Sequence, residues 1–304
     1  MRSRLTCVIS AAMAVLLIVC TVNYAFNIGK EKKKNGNPVM EAAQKEVVVQ
    51  DFIHDNYVIT EKNPWTDYSL HPVNYKETKS SSFSENISAQ SAILVDIKSN
   101  NVLYAKNENK HMYPASTTKL MTALTVLQIM NVNDVVTIGD EITFIASDSS
   151  KAGFSRGQVV TVKELLQGLL ISSGNDAAYV LAKAAGQEIF EDNIANEGKT
   201  FTSQQCVQRF VLEMNRNVRD MELENTHFTS PDGYDDDDQY TTATDLSKIA
   251  IEAYSNSVIA DICGKSSAYS DTLSKTWTST NALLNKNGSF YYEYCQGLKT
   301  GSTG

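Results

Sequence analysis

The chain has 304 residues, of which 42% are hydrophobic and 20% are charged, and its formal net charge is −8. This length and apolar content suffice for one large or two ordinary folded domains and exclude wholesale disorder. The acidic balance argues against a nucleic-acid partner, because such a surface repels phosphates. Five cysteines are too few for a disulfide-dense scaffold. Four histidines without H-E-x-x-H or paired C-x-x-C spacing argue against a metal site, and we expect no cofactor.

The chain begins with a segment typical of export. Arg2 and Arg4 precede an uncharged run from Leu5 to Val22, which indicates a signal peptide or a membrane anchor. An uncleaved anchor is favoured, because Asn23 stands where a cleavage site would need a small residue. We assign residues 1–26 to this segment and expect the rest of the chain to lie outside the cytoplasmic membrane.

Residues 27–88 show no sustained helical or strand periodicity. Lys-rich, Asn/Gly and Ser-rich stretches dominate them, which indicates a linker that tethers the membrane segment to a folded part. A partner-binding segment is the alternative interpretation. The folded domain is therefore assigned to residues 89–304.

The folded part opens with two predicted strands, Ala92–Ile97 and Val102–Lys106, joined by a turn. A helix is predicted from Pro114 to Met130 by its apolar spacing. Thr161 and Glu164 have the spacing of a capping box at the start of another helix.

Three more helices and two late strands follow in the sequence. The helices are predicted over Ala177–Ala185, ending at Gly186, over Val207–Met221 and over Asp245–Tyr254. The strands are predicted over Ala268–Leu273 and Tyr291–Lys299. Strands at both ends with helices between them predict an α+β fold in which an antiparallel sheet is covered by helices.

The first chemical signal is Ser116-Thr117-Thr118-Lys119, an S-x-x-K motif at the predicted start of a helix. Spacing i, i+3 places the hydroxyl and the amine on one helical face. A neutral lysine there can take the proton of the serine, and the free N–H groups of the first turn suit an oxyanion. Alone the motif is weak, since about one match is expected by chance, and an ordinary helix start is the simpler interpretation.

Two further motifs change that judgement. Ser173-Gly174-Asn175 lies in a predicted tight loop between helices, and Lys299-Thr300-Gly301 ends a predicted strand. Taken separately, the first is typical of a turn and the second of a strand end with a solvated lysine. All three motifs in this order, each in a fitting element, indicate one common site.

With these motifs the chain resembles the active-site serine penicillin-binding proteins and β-lactamases. Within them it is most similar to the low-molecular-mass D-alanyl-D-alanine carboxypeptidases. The resemblance runs from about Ser88 to the last residue, and the segments that carry it are Ser91–Asn107, Pro114–Leu124, Leu165–Ala178, Asn225–Gly233, Thr241–Leu246, Asn281–Leu284 and Gly297–Gly301. It implies a β-lactamase/transpeptidase-like fold, with an antiparallel sheet flanked by helices and a helical subdomain.

The resemblance implies three catalytic residues. Ser116 would attack the carbonyl of the penultimate D-Ala of a peptidoglycan stem peptide and form an acyl-enzyme. Lys119 would be its base. Ser173 would relay the proton to the leaving D-Ala, and water would then hydrolyse the acyl-enzyme.

It also implies five substrate-binding residues, which are Asn175, Lys299, Thr300, Gly301 and Ser302. Asn175 would position the substrate amide and Lys119. Lys299 and Thr300 would hold the terminal carboxylate, and the charge of Lys299 would favour neutral Lys119. Gly301 would let the substrate approach closely, and the backbone N–H groups of Ser116 and Ser302 would form the oxyanion hole.

The implied partners are stem peptides ending in D-Ala-D-Ala, β-lactam antibiotics and, through the N-terminal segment, the membrane. The implied location is the outer face of the bacterial cytoplasmic membrane or the cell wall. Three alternatives stay open. These are a class A-like β-lactamase, disfavoured by S-G-N in place of S-D-N and by the lack of a matching E-x-x-x-N, a D,D-endopeptidase, and a non-catalytic penicillin-binding sensor or fragment.

Two departures from the family pattern stand out. Asp232 occupies a position where relatives often carry His, and we interpret it as a loop variation outside the chemistry. The neighbouring Asp235–Asp238 is interpreted as a solvated acidic loop. Relatives also continue beyond the last motif, so we expect the final strands and helix of the fold to be missing from this chain.

Overall fold

The computed structural model describes residues 70–76, 87–191 and 198–303. The predicted signal peptide or anchor at 1–26 and most of the predicted linker at 27–88 lie outside these ranges, so both stay predictions. Within the described ranges, no helix combines the length and apolar character that crossing a membrane requires.

The described strands form three separate two-stranded antiparallel ladders. The first is the predicted hairpin, in which β1 (Ala92–Asp96) pairs with β2 (Asn101–Lys106). The sequence did not indicate the second ladder, of β3 (Val135–Thr137) and β4 (Val159–Thr161), because three-residue strands show too little alternation to detect.

Of the two late strand predictions, one is confirmed with shifted bounds and the other is wrong. The predicted strand Ala268–Leu273 is instead β5 (Ser267–Ser270), which turns back into β6 (Lys275–Thr278). The predicted strand Tyr291–Lys299 is not formed. A turn interrupts it, in which Cys295 N donates to Tyr292 O at 3.0 Å, and the residues after the turn have no ladder pairing among the described residues. Apolar and aromatic composition alone does not make a strand without a neighbour to pair with.

Six α-helices lie in the described ranges and complete the α+β fold. They are α1 (Lys119–Ile129), α2 (Val162–Leu170), α3 (Asn175–Glu191), α4 (Ser203–Asp220), α5 (Ala243–Ser255) and α6 (Ser257–Cys263). Helix α1 is the centre of the core, since every residue from Lys119 to Leu127 is buried and helices α2 to α5 pack around it. The turn that precedes α1 is therefore supported by the most tightly packed part of the molecule.

Gly186 does not end its helix, contrary to the sequence-based prediction. Helix α3 continues to Glu191. A Cβ atom at Gly186 would lie 1.9 Å from Cys206 O on α4. The glycine therefore permits a close crossing of two helices, which local sequence rules cannot distinguish from a helix end.

The capping box at Thr161 is only half formed. The Thr161 side chain accepts a hydrogen bond from Glu164 N at 3.2 Å and caps α2, as predicted. The Glu164 carboxylate does not reach back to the cap. It accepts from Thr272 N at 3.0 Å and from Thr272 Oγ1 at 2.7 Å, so it connects α2 to the turn after β5.

Residues 70–76, part of the predicted linker, pack against the domain. Leu70 and Val73 are buried. The Tyr75 hydroxyl lies 2.6 Å from Ser247 Oγ on α5, and Lys76 N donates to Asn100 O at 2.9 Å. The folded part therefore includes this stretch, because its apolar side chains are covered by the domain.

Candidate active site

Ser116 lies on a 3-10 turn, Ala115–Thr118, that leads directly into α1. Lys119 Nζ donates to Ser116 Oγ at 2.9 Å. Ala115 has φ of 48°, a left-handed conformation that is unusual for a residue with a Cβ and is typical of functional sites. The pairing of hydroxyl and amine expected from the i, i+3 spacing is thus formed.

Lys119 is completely buried and makes a second hydrogen bond, from Nζ to Asp232 O at 2.7 Å. Burial lowers the pKa of Lys119 to about 8, while the negative charges of Asp232 and Asp176 act in the opposite direction. Loss of solvation disfavours the ammonium form. A neutral amine next to Ser116 is therefore accessible close to neutral pH.

The second and third motifs meet at Ser173. Ser173 sits in the left-handed region with φ of 61°, at the tight turn between α2 and α3. Lys299 Nζ donates to Ser173 Oγ at 2.9 Å and to Thr300 O at 2.9 Å. Lys299 was interpreted, when its motif was taken alone, as a solvated lysine, but it is buried.

All three motifs lie in one site, because Lys299 contacts Ser173 and Gly301 packs against the turn that carries Ser116. Burial and then repulsion from Lys119 lower the pKa of Lys299 to about 7, and Cys263 acts in the opposite direction. From sequence we expected the charge of Lys299 to keep Lys119 neutral. In the structure, burial is the largest cause of the lowered pKa of both lysines. Because the repulsion is mutual, the pair loses its protons in two linked steps.

Asn175 and Ser302 have fewer contacts within the site than the sequence-based roles suggest. Asn175 begins α3, and its backbone N donates to Ser150 O at 2.8 Å. Its buried side chain makes no hydrogen bond within the described residues. Lys119 Nζ donates to Ser116 and Asp232 instead. Ser302 is exposed.

Thr300 and Gly301 connect the terminal segment to the rest of the site. Thr300 Oγ1 lies 2.6 Å from Thr280 Oγ1. A Cβ at Gly301 would lie 3.2 Å from Pro114 O and 3.3 Å from the Ala115 Cβ. This glycine was expected to admit the substrate, but the side that a Cβ would occupy faces the turn that carries Ser116. It therefore allows the Lys299 segment to approach the Ser116 turn closely.

Sequence reasoning missed Asp176, whose buried carboxylate binds the backbone of residues 152–154 next to Asn175. It accepts backbone hydrogen bonds from Ala152 at 2.8 Å, Gly153 at 2.7 Å and Phe154 at 2.9 Å. Its position in the first turn of α3 suits a carboxylate, which is the only signal the sequence offered. The N–H donors that define its role are more than 20 residues away.

Asp232, which the sequence suggests is a loop variation outside the chemistry, lies directly beside Lys119. Its carbonyl oxygen accepts a hydrogen bond from the base candidate, Lys119, and its side chain is buried. The following Gly233 has φ of +83°, and a Cβ there would lie 1.9 Å from Ala115 O. The loop is therefore packed directly on the turn that carries Ser116. Asp235–Asp238, by contrast, is exposed as expected.

Comparison with known proteins agrees with this geometry. The family model described as D-alanyl-D-alanine carboxypeptidase matches residues 76–194 and 203–304. The chain belongs to this family. Its curated relatives include DacF of Bacillus subtilis, at 30% identity over 71% of this chain and 51% of DacF, and DacA of Escherichia coli, at 32% identity over 71% and 50%. The chain thus spans about half the length of these relatives.

Solved structures confirm the fold class. The DD-transpeptidase of Streptomyces K15 matches with a TM-score of 0.62 and 32% identity, over 72% of this chain and 81% of the other. Penicillin binding protein 5 of Haemophilus influenzae matches with a TM-score of 0.54 and 30% identity, over 66% and 54%. The family therefore has the transpeptidase-like α+β fold that the motifs predicted.

Proposed function

We propose that this protein is a serine-type D-alanyl-D-alanine carboxypeptidase that removes the terminal D-Ala from peptidoglycan stem peptides. The observation that carries the proposal is the convergence of two serine–lysine pairs. Ser116 Oγ and Lys119 Nζ are 2.9 Å apart, and Ser173 Oγ and Lys299 Nζ are 2.9 Å apart. Family membership supports the same activity.

Acylation begins at Ser116. Lys119, as the neutral amine, takes the proton of the Ser116 hydroxyl while Oγ attacks the carbonyl carbon of the penultimate D-Ala. The C–N bond to the terminal D-Ala then breaks. The departing amine receives the proton through Ser173, whose hydroxyl is in contact with Lys299. Water hydrolyses the resulting ester and regenerates Ser116.

The terminal carboxylate of the substrate binds at Lys299 and Thr300. A bound carboxylate stabilises the charged form of Lys299, so binding raises the pKa of that lysine. The charge that is held there then favours loss of the proton from Lys119. The substrate itself thus distributes the protons of the pair as acylation requires, with Lys299 charged and Lys119 neutral.

The remaining substrate contacts follow from the same arrangement. Asn175 binds the amide of the substrate, for which its buried side chain is available. The backbone N–H groups of Ser116 and Ser302 bind the oxyanion of the tetrahedral intermediate. Gly301 keeps the Lys299 segment close to Ser116.

The cell wall is the proposed place of action. Residues 1–26 carry the protein out of the cytoplasm and serve as a signal peptide or membrane anchor, and residues 27–69 act as a spacer. β-lactam antibiotics resemble the D-Ala-D-Ala end and acylate Ser116. The β-lactamase alternative is disfavoured, because the family and the curated relatives are carboxypeptidases.

Transfer of the acyl group to an amine is the second candidate reaction, because a similar solved structure is titled a DD-transpeptidase. The two candidates share the acyl-enzyme and differ only in its acceptor. Incubation with a D-Ala-D-Ala peptide and added glycine, followed by mass spectrometry, distinguishes them. A shortened peptide indicates hydrolysis, and a glycine adduct indicates transfer.

The central test is covalent labelling by a fluorescent penicillin. We expect the protein to be labelled and to release D-Ala from a D-Ala-D-Ala peptide. Ser116→Ala is expected to lower labelling on the order of 10³-fold or more, because it removes the hydroxyl that forms the ester. The thermal midpoint should stay close to that of the parent, since the Ser116 side chain is only half-buried.

Ser172→Ala is the matched control, because the Ser172 hydroxyl donates only within its own helical turn, to Gly168 O at 2.8 Å, and labelling should persist. Labelling of Ser116→Ala at the parental rate would refute the assignment of the nucleophile. Rapid penicillin turnover would indicate a β-lactamase instead. Stable labelling without peptide cleavage would favour a sensor or an inert fragment.

A further inference from the structure

The loop formed by residues 230–234 covers the buried end of Lys119. Asp232 O accepts a hydrogen bond from Lys119 Nζ at 2.7 Å, and the Asp232 carboxylate is buried too, with 2% of the residue exposed. Its Oδ1 accepts from Tyr234 N at 3.1 Å. Asp232 therefore carries a buried carboxylate next to Lys119, the proposed base. The proposed mechanism gives this carboxylate no role.

We propose that Asp232 is a positioning residue that sets the pH range in which Lys119 works as the base. This inference rests on the proposed function and adds a regulating charge to the same site. Its carbonyl aims the Lys119 amine at Ser116. Its carboxylate stabilises the protonated form of that amine and so opposes the effect of burial.

The loop holds this carboxylate in place through contacts on both sides. Thr122 Oγ1 on α1 donates to Pro231 O at 2.6 Å. Gln239, which is completely buried, donates from Nε2 to Tyr234 O at 2.8 Å. Gly233 packs against Ala115 O so closely that no Cβ fits. The loop therefore cannot turn Asp232 towards solvent without losing contacts to the nucleophile's turn.

Several charged or titratable groups face Lys119 from the elements around it. Helix α3 contributes Asp176 and, near Asp232, Tyr179. The terminal segment contributes Lys299, beside which lies Cys263 of α6. The four backbone N–H groups that bind the Asp176 carboxylate compensate its charge.

Asp232 accepts a single backbone N–H, from Tyr234, so less of its charge is compensated than at Asp176. Of the two carboxylates, Asp232 also has the larger effect on Lys119, whose pKa its charge raises. Neutralising Asp232 should therefore make the neutral amine of Lys119 available at lower pH.

Asp232→Asn tests the proposal with little change in shape. The amide oxygen can still accept from Tyr234 N, and the backbone carbonyl that binds Lys119 is untouched. The measurement is the second-order rate of fluorescent penicillin acylation by the full chain between pH 5 and 9.5. We expect the acid limb of the profile to move to lower pH by about one unit, with a plateau rate within a few-fold of the parent.

Two variants support the interpretation. Asp232→Ser also removes the charge and retains an acceptor, and it should move the acid limb in the same direction if Asp232→Asn does not fold. Asp148→Asn is the matched control, because the exposed Asp148 carboxylate is bonded to the hydroxyl of the same Tyr234. The acid limb of the acylation profile of Asp148→Asn should lie at the same pH as that of the parent.

An unchanged acid limb in folded Asp232→Asn, a shift to higher pH, or a loss of rate equal at every pH would each overturn the proposal. The ε-carbon NMR signal of Lys119, assigned by its loss in Lys119→Met, provides a readout that does not need catalysis. Its midpoint should fall in Asp232→Asn, and no change would overturn the proposal. A parent protein that penicillin does not acylate would instead refute the proposed function, and the NMR titration would still decide the role of Asp232.

Discussion

The two lysines of the site belong to regions of the molecule that are built differently. Lys119 stands at the first residue of the central helix, three residues from the serine it contacts, and is completely buried. Lys299 lies in an irregular segment without ladder pairing within the described residues. It is held by the hydroxyl of Ser173, which is 126 positions away in sequence.

This difference matches the two proposed tasks, proton removal by Lys119 and carboxylate binding by Lys299. A base must keep a fixed distance and angle to its nucleophile, and a helical turn provides both from neighbouring residues. Lys299, which we propose to bind the terminal carboxylate, comes from a part of the chain far from Ser116 in sequence. Its position therefore depends on tertiary contacts.

Replacing the base should have the largest effect. In Lys119→Met the apolar side chain fits the buried site but cannot accept a proton. We expect the acylation rate to fall about 10³-fold at pH 8 with little change in KM, measured by penicillin labelling and D-Ala release. Lys265→Met, which removes an exposed lysine paired with Asp261, is the control. An acylation rate within tenfold of the parent would show that Lys119 is not the base.

Lys299→Met should produce a smaller and more selective loss. We expect kcat/KM for a peptide with a free terminal carboxylate to fall about 10²-fold, the value of a charge-assisted hydrogen bond pair, while the matching C-terminal amide is hydrolysed almost as before. Removing the ammonium also relieves repulsion on Lys119. The acid limb of acylation should therefore move to higher pH, opposite to Asp232→Asn. Equal losses for acid and amide substrates would contradict carboxylate binding at Lys299.

Substitution of two glycines tests how tightly the two regions are packed. Gly233 follows Asp232, which contacts Lys119, and Gly301 lies two residues after Lys299. Gly233 has φ of +83° and a Cβ there would lie 1.9 Å from Ala115 O, whereas a Cβ at Gly301 would lie 3.2 Å from its nearest neighbour. Gly233→Ala should lower the free energy of unfolding by about 3 kcal/mol. Gly301→Ala should lower it by about 1 kcal/mol or less. Chemical denaturation measures both, and equal losses would show that the two regions are equally tightly packed.

Local features of the sequence predicted a large part of the fold. The hairpin of β1 and β2, the N-cap at Thr161 and the central helix after Pro114 follow from short-range patterns of apolar, turn and capping residues. The Ser116–Lys119 pair follows from its spacing on a helix. These predictions succeeded because both members of each interaction lie within a few residues of each other.

Other features depended on contacts between distant residues and were misinterpreted or missed. Gly186 is a helix crossing and not a helix end, because Cys206 O of α4 occupies the space beside it. The Glu164 carboxylate binds the turn at Thr272, and the Asp176 carboxylate binds the backbone of residues 152–154. No local pattern identifies partners that become neighbours only after the chain has folded.

The sequence by itself determined the family, the order of the three motifs and the pairing of Ser116 with Lys119. The tertiary structure alone decided how each lysine is charged. Burial lowers the pKa of Lys119 to about 8 and that of Lys299 to about 7, and Asp232 opposes the first of these shifts. The physical reason is that a residue's type and spacing are written in the chain, whereas its solvation and its charged neighbours exist only in the packed molecule.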